Sequence, residues 1–289
     1  MPAMTPADEM KEVSSSQGKV ESFSATGRPE ISAEELVTAN RVNWAVSFVQ
    51  LITGVVILVL TDEDEEFPWF SIFPGSDEDQ AGEARFTGPR PDEIWEFNPG
   101  YLSGVFLLLS WLDHFLVATV FRSVYEDGLR KNRNVFRWIE YSVSASLMHV
   151  LIALLSGVQS VNLLVQIFGN VATCMLFGLA FEVENGARPL KDVNWLSFYL
   201  GWIPYMFAWA TIFAYFFYAV DNSDDVPDWV WAIIFVIFII NMAFPIATAL
   251  QWRGVGKFKN YVYGEITFII VSMVSKQLLA WINFGGSQG

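Results

Sequence analysis

The chain has 289 residues, of which 53% are hydrophobic, 16% aromatic and only 17% charged, where a soluble domain carries about 25% charged residues. The balance is acidic, with 31 Asp and Glu against 17 Lys and Arg, so no basic stripe exists to hold the phosphates of a nucleic acid. A single cysteine, Cys174, excludes an internal disulfide framework or cysteine metal site, and its place in an apolar run reads as a small buried hydrophobe.

Residues 1–40 are polar, acidic and Ser-rich, and read as a disordered tail with no cleaved signal peptide. A bilayer core takes about 20 apolar residues as a helix. Such runs fall at approximately 42–60, 101–121, 135–155, 158–181, 195–220, 229–252 and 262–283, with no Asp, Glu, Lys or Arg from Trp195 to Val220 or from Trp229 to Trp252. Backbone polar groups in lipid must satisfy one another, so these are helices. Trp195, Trp229, Trp252, Tyr261 and Tyr263 sit near span ends as an interfacial belt. The expected fold is all-α: a seven-transmembrane-helix bundle in a lipid bilayer over 41–284, with a tail at 285–289.

Basic residues set the expected orientation. Lys11, Lys19, Arg28 and Arg41, then Arg122, Arg130, Lys131 and Arg133, then Arg188 and Lys191, and finally Arg253, Lys257 and Lys259 all fall on one face. The other face has Arg85 and Arg90. Thirteen against two places the N-terminus in the cytoplasm and the C-terminus outside. Acid concentrates on the outer face, with twelve Asp or Glu in 61–100, including Asp62 to Glu66, and four in 221–228. Dense carboxylates keep a surface hydrated in brine, which suggests a halophilic archaeal host; the acids lack EF-hand spacing. The 61–100 connection is too long for a simple loop. Its Trp69, Phe70, Phe73, Trp95 and Phe97 are compatible with short β-strands on the outer helix ends, or with a subunit contact.

Ionisable groups inside spans are costly, about 2.5–3.5 kcal/mol each on insertion scales, so each needs a partner or a task. Lys276 lies about eight residues from the outer end of the last span. It reads as either a structural ion pair or a lysine for Schiff-base chemistry, which then needs one buried anion. Glu140 on the third span is the best anion, with Ser144 one turn away, as Ser272 is one turn from Lys276. From the nearest span starts, Glu140 lies about 13 Å deep and Lys276 about 17 Å at 1.5 Å per residue, which permits the pair. Arg137 is either a rim charge or part of the interior. His114 and Ser110 share one face of the second span, where a histidine is as often a helix contact. Asp113 beside them is an acid without an assigned role. Asn162, Gln166 and Asn170 recur every fourth residue, a stripe that most simply glues helices together. No HExxH, nucleophile elbow or metal-ligand cluster is present, with only two histidines, His114 and His149, so an enzyme is not expected.

The segments KNRNVFRWIEYSVSASLMHVLIALLSGV (131–158), QWRGVGKFKNYVYGE (251–265) and VSMVSKQLLAW (271–281) together resemble the heliorhodopsins, retinal proteins distantly related to microbial rhodopsins and inverted in the membrane relative to them. The resemblance runs from about Asn40 to the end of the last span and leaves out the tail and much of 61–100. It implies all-trans-retinal as cofactor, Lys276 as its attachment point and Glu140 as counterion. Ser272 matches a serine near the Schiff base, Ser110 and His114 a polar cavity beside it, and Phe244 an aromatic against retinal. Ser144, Tyr141 and Met148 complete the expected retinal contacts, and Arg137 the proton-accepting cavity. Where the family can carry a histidine on the first helix, this chain has Ser47. The implied function is a light receptor with a slow photocycle and no ion transport, the implied partners being a second copy of the chain in a homodimer and a signalling partner at the cytoplasmic face. The alternative is a light-driven ion pump or channel. A pump places a second carboxylate about three turns past the counterion, where this chain has Leu151.

Overall fold

The computed structural model describes residues 23–62, 67–74, 89–223 and 226–287. Lys11, Lys19, the acids 63–66, Arg85, Asp224 and Asp225, and the end of the C-terminal tail lie outside the described residues. Among the described residues, seven helices are long and apolar enough to cross a membrane: α1 Ala33–Leu60, α2 Pro99–Ala118, α3 Val135–Leu155, α4 Val161–Asn185, α5 Leu196–Asn222, α6 Asp228–Trp252 and α7 Tyr261–Ser287.

Their ends follow local chemistry. α1 begins at Ala33, well before the apolar run, because Ser32 and Glu35 form a reciprocal capping box, which satisfies two orphan backbone donors. This corrects the expectation of a disordered tail for the part from residue 33 to 40; residues 1–22 lie outside the described residues. Residues 23–32 are also folded: Phe23 bridges Pro29, and Gly27 turns the chain at φ +79°, a conformation glycine adopts without steric cost. Asn98 caps α2 with Pro99 at its first position, and Asn134 caps α3. α6 is interrupted at Met242 between its segments Asp228–Asn241 and Ala243–Trp252. Pro245 there cannot donate to the carbonyl of Asn241, four residues back. α7 runs on through Ser287, so 285–287 is helix rather than tail; Gly286 lies where a Cβ would strike the Trp229 ring.

Two strands, β1 Phe67–Pro74 and β2 Pro89–Phe97, pair antiparallel between α1 and α2. A bulge between Trp69 and Phe70 shifts the register. The far edge of β1 is used as well, since the Phe70 amide donates to the Gln159 carbonyl at 2.9 Å. Trp69, Trp95 and Phe97 cluster on the hairpin; the side chain of Phe73 lies outside the described residues.

At the opposite end, the N-terminal segment ties three connections together. The Leu190 amide donates to the Thr26 carbonyl at 3.0 Å, Arg28 Nη1 to the Lys259 carbonyl at 3.2 Å, and Arg130 Nη1 to the Ile31 carbonyl at 3.3 Å. The described members of the four groups of basic residues read from the sequence therefore share one end of the bundle, called here the basic face. Asn162 and Gln166 of α4 are exposed, so they face outward rather than gluing helices within the chain.

Candidate functional site

α3 and α7 meet in the middle of the bundle. Lys276 Nζ donates to Glu140 Oε1 at 3.0 Å, to Oε2 at 3.3 Å and to Ser272 Oγ at 2.9 Å. The side chains are 2% and 7% exposed, so the pair is shielded from water. Ser272 takes part because it precedes Lys276 by one helical turn, which stacks both on one face. The Tyr141 ring lies 5.1 Å from Nζ and meets Phe244 edge-on at 5.6 Å; Phe244 in turn stacks on Phe268 at 6.2 Å.

A cavity of about 130 Å³ opens beside this pair, between α3, α4, α5, α6 and α7. Tyr141, Met148, Phe244, Ser272 and Lys276 line it, with Trp138, Trp202 and Tyr205 among the other aromatic walls. Lys276 is the one Lys, Arg, Asp or Glu in that wall among the described residues. Cys174 also lines it rather than being wholly packed away. His149 donates through Nδ1 to the Ala145 carbonyl, while its Nε2 is buried without a partner among the described residues. An apolar, aromatic cavity with one amine in its wall fits a long hydrophobic aldehyde such as retinal. Ser144 and Ser110 are fully buried with hydroxyls that lack partners among the described residues; neither lines the cavity.

One turn before Glu140, Arg137 turns to a second site. It pairs with Glu182 of α4 and Glu265 of α7, and is interior rather than at the rim, with 3% of its side chain exposed. Both carboxylates have further donors. Glu182 accepts from the Asn134 amide at 2.9 Å and Tyr261 Oη at 3.0 Å. Glu265 accepts from Asn134 Nδ2 at 2.7 Å and Tyr125 Oη at 3.2 Å. Arg137 also lies over the Phe268 ring at 4.1 Å. Tyr125 sits on the short helix Arg122–Arg130; burial and the Glu265 carboxylate push its hydroxyl pKa well above the ordinary value.

A small cavity of about 10 Å³, roughly one water in size, joins the two sites. Asn43, Asp113, His114, Arg137, Glu140 and Glu265 are in its wall. His114 Nδ1 lies 2.7 Å from Asn43 Oδ1, so α1 provides a partner from Asn43, one turn before Ser47. Arg28 closes the basic end, 4.7 Å over Trp252 and 5.9 Å from Tyr261. Burial lowers its pKa to about 10 against the pull of Tyr261 and Glu182.

Sequence reasoning missed Glu182, Glu265, Tyr125, Asn134, Asn43 and Arg28. Glu182 and Glu265 stand at span edges, where an acid reads as the end of a helix. The available signal was an interior Arg137 with two acids at matching depth on other spans.

Solved structures share this architecture. Thermophilic rhodopsin superposes with a TM-score of 0.62 at 14% identity, over 90% of this chain and 98% of its own. Xanthorhodopsin, a light-driven ion pump with dual chromophore, gives 0.63 at 12% identity over 90% and 98%. The light-driven proton pump of Leptosphaeria maculans gives 0.57 at 13% identity over 87% and 95%. At such identities the likeness concerns the fold: a seven-helix bundle of the microbial-rhodopsin type. No curated protein matches the chain. A model of the heliorhodopsin family matches residues 39–288, and the chain belongs to that family. Membership implies a retinal chromophore and a response to light.

Proposed function

We propose that this chain is a light sensor holding all-trans-retinal as a protonated Schiff base on Lys276, with Glu140 as counterion and no ion transport. One observation carries the reading: the single amine in the wall of the apolar cavity is held 3.0 Å from one buried carboxylate. When bound, retinal supplies light absorption and isomerisation. The chain's residues do the rest. Lys276 must give up its proton before it can attack an aldehyde carbon. Glu140 balances the positive charge at its nitrogen, and Ser272 Oγ orients that nitrogen. Tyr141, Met148 and Phe244 shape the apolar wall. The Ser144 and Ser110 hydroxyls have no partners among the described residues, and His114 and Arg137 belong to the polar cavity that receives a proton.

The distribution of polar groups favours a sensor over a pump. Titratable groups gather between Glu140 and the basic face. Toward the hairpin face, polar side chains are engaged between helices: Gln277 Nε2 donates to Gln50 Oε1 at 2.7 Å and to Thr53 Oγ1 at 2.8 Å, and Asn283 Nδ2 to Ser103 Oγ at 3.1 Å. α3 continues through Leu151 to Leu155, with no second carboxylate. A relay across the bilayer needs titratable or hydrated groups on both sides. By charge bias the basic face is cytoplasmic, leaving the C-terminus extracellular, and its loops are where a signalling partner would read the photocycle. The outward stripe of Asn162 and Gln166 supports a homodimer, since polar residues in lipid seek partners on another helix. The acidic outer connection supports a halophilic host.

The test is an absorption spectrum of the membrane protein with and without all-trans-retinal, then illumination of vesicles that contain it. We expect a visible band only with retinal, and no sustained pH change. A protonophore-sensitive pH change that persists in continuous light would establish the pump instead.

A further inference from the structure

The two charged sites do not balance. Four acids, Asp113, Glu140, Glu182 and Glu265, surround two cations, Arg137 and Lys276. Arg28 adds a third cation behind Trp252 and Tyr261. One negative charge is still in excess, and an uncompensated carboxylate kept from water is neutralised rather than tolerated; Asp113 is half-buried on the membrane-spanning α2 and lines the small cavity. The donors decide which acid takes the proton. Glu182 and Glu265 each share Arg137 and accept two further hydrogen bonds. Glu140 has the Lys276 ammonium. Asp113 has neither an ion pair nor a donor to its carboxyl group among the described residues.

We propose that Asp113 holds a proton in the resting protein and is a positioning residue for the chromophore: neutral, it leaves Glu140 as the sole anion beside Lys276. The charged and titratable groups that share its cavity are His114 on its own helix, Tyr125 on the short helix, Arg137, Glu140 and Tyr141 on α3, and Glu265 on α7. Lys276 reaches Glu140 from α7, and α1 contributes the uncharged Asn43. Raising the pH removes the Asp113 proton to solvent hydroxide, leaving a second carboxylate near the chromophore. That added anion stabilises the positive charge where it rests before excitation, so absorption moves to shorter wavelength. The colour consequence rests on the retinal reading above; the proton assignment does not.

The decisive measurement uses retinal-free protein at neutral pH. Infrared spectroscopy reads the C=O stretch of protonated carboxylic acids, and carbon-13 labelling of aspartate side chains separates them from glutamates. Surface aspartates are ionised at this pH. We expect one protonated aspartate band, lost at alkaline pH and absent from Asp113→Asn. An acid band that label does not move would put the proton on a glutamate and overturn the proposal, as would no acid band or one that survives in Asp113→Asn. If that variant fails to fold, the labelled wild-type titration alone decides. In retinal-loaded protein we expect a one-proton alkaline shift to shorter wavelength, lost in Asp113→Asn; an unchanged shift in the variant would remove Asp113 from colour control.

Discussion

α3 contributes one residue to each of two buried charge sites, and the sites are built in opposite ways. Glu140 faces a lysine whose one other hydrogen-bond partner among the described residues is Ser272, with the Tyr141 ring and an open cavity beside it. Arg137, one turn earlier, is closed in by two carboxylates, an asparagine cap and two tyrosines on those carboxylates, and an aromatic ring. A charge site rich in partners holds its geometry and resists change, even though Arg137 Nε has no hydrogen-bond partner among the described residues. A sparse site beside a cavity leaves room for a ligand and for a proton to move. The contrast separates the reacting pair from the cluster that anchors α3, α4 and α7 around it.

The sharpest way to break the comparison is at the lysine. We expect Lys276→Ala and Lys276→Arg both to abolish the retinal-dependent visible band while the protein still inserts. Arginine keeps the charge opposite Glu140 but cannot make the covalent bond, so it separates Schiff-base chemistry from ion pairing. A coloured Lys276→Ala protein would mean that the chromophore is held elsewhere.

Paired neutralisations sharpen it next. Glu140→Gln should move the absorption strongly to longer wavelength, because the chromophore's charge loses its near anion. Arg137→Gln should instead leave the colour close to wild type while stability falls by about 3–5 kcal/mol, the usual cost of breaking a buried ion pair from one side. Spectra and denaturation midpoints in micelles measure both. A wild-type spectrum in Glu140→Gln would transfer the counterion role to another carboxylate, with Asp113 first in order.

These expectations draw unevenly on what the sequence could be made to yield. The seven spans were legible because uninterrupted apolar runs in lipid have few other solutions. Lys276 and Glu140 stood out because charges within such runs are rare. The start of α1 was legible too, in the Ser32-Ala-Glu-Glu capping box, but the polar composition around it pointed to a tail. Arg28 was not legible: in that segment a buried arginine has the same local sequence as a solvated one, and only the Trp252 and Tyr261 rings brought by distant spans distinguish them. The Arg137 cluster was hidden likewise, since Glu182 and Glu265 become interior only when α4 and α7 pack against α3.

The smallest expected effect lies at the border of the two sites. Tyr125 Oη donates to Glu265 Oε1 at 3.2 Å and accepts from Asn43 Nδ2 at 3.2 Å. Tyr125→Phe removes both bonds but strands neither partner: Glu265 keeps Arg137 and Asn134, and Asn43 Nδ2 still donates to the Ala39 carbonyl at 3.1 Å. The loss should therefore lie near the lower end for a bond to a charged group, about 1.5 kcal/mol, in denaturation of the purified protein. Because burial and Glu265 hold the Tyr125 hydroxyl well above its ordinary pKa, it remains a donor as pH rises past neutrality. The difference between wild type and Tyr125→Phe should thus stay constant from neutral into mildly alkaline solution. The visible band should not move, since Tyr125 contacts Glu265 and not Glu140. A shifted band in Tyr125→Phe would show that the anchoring cluster sets the chromophore's field, and that the two sites act as one.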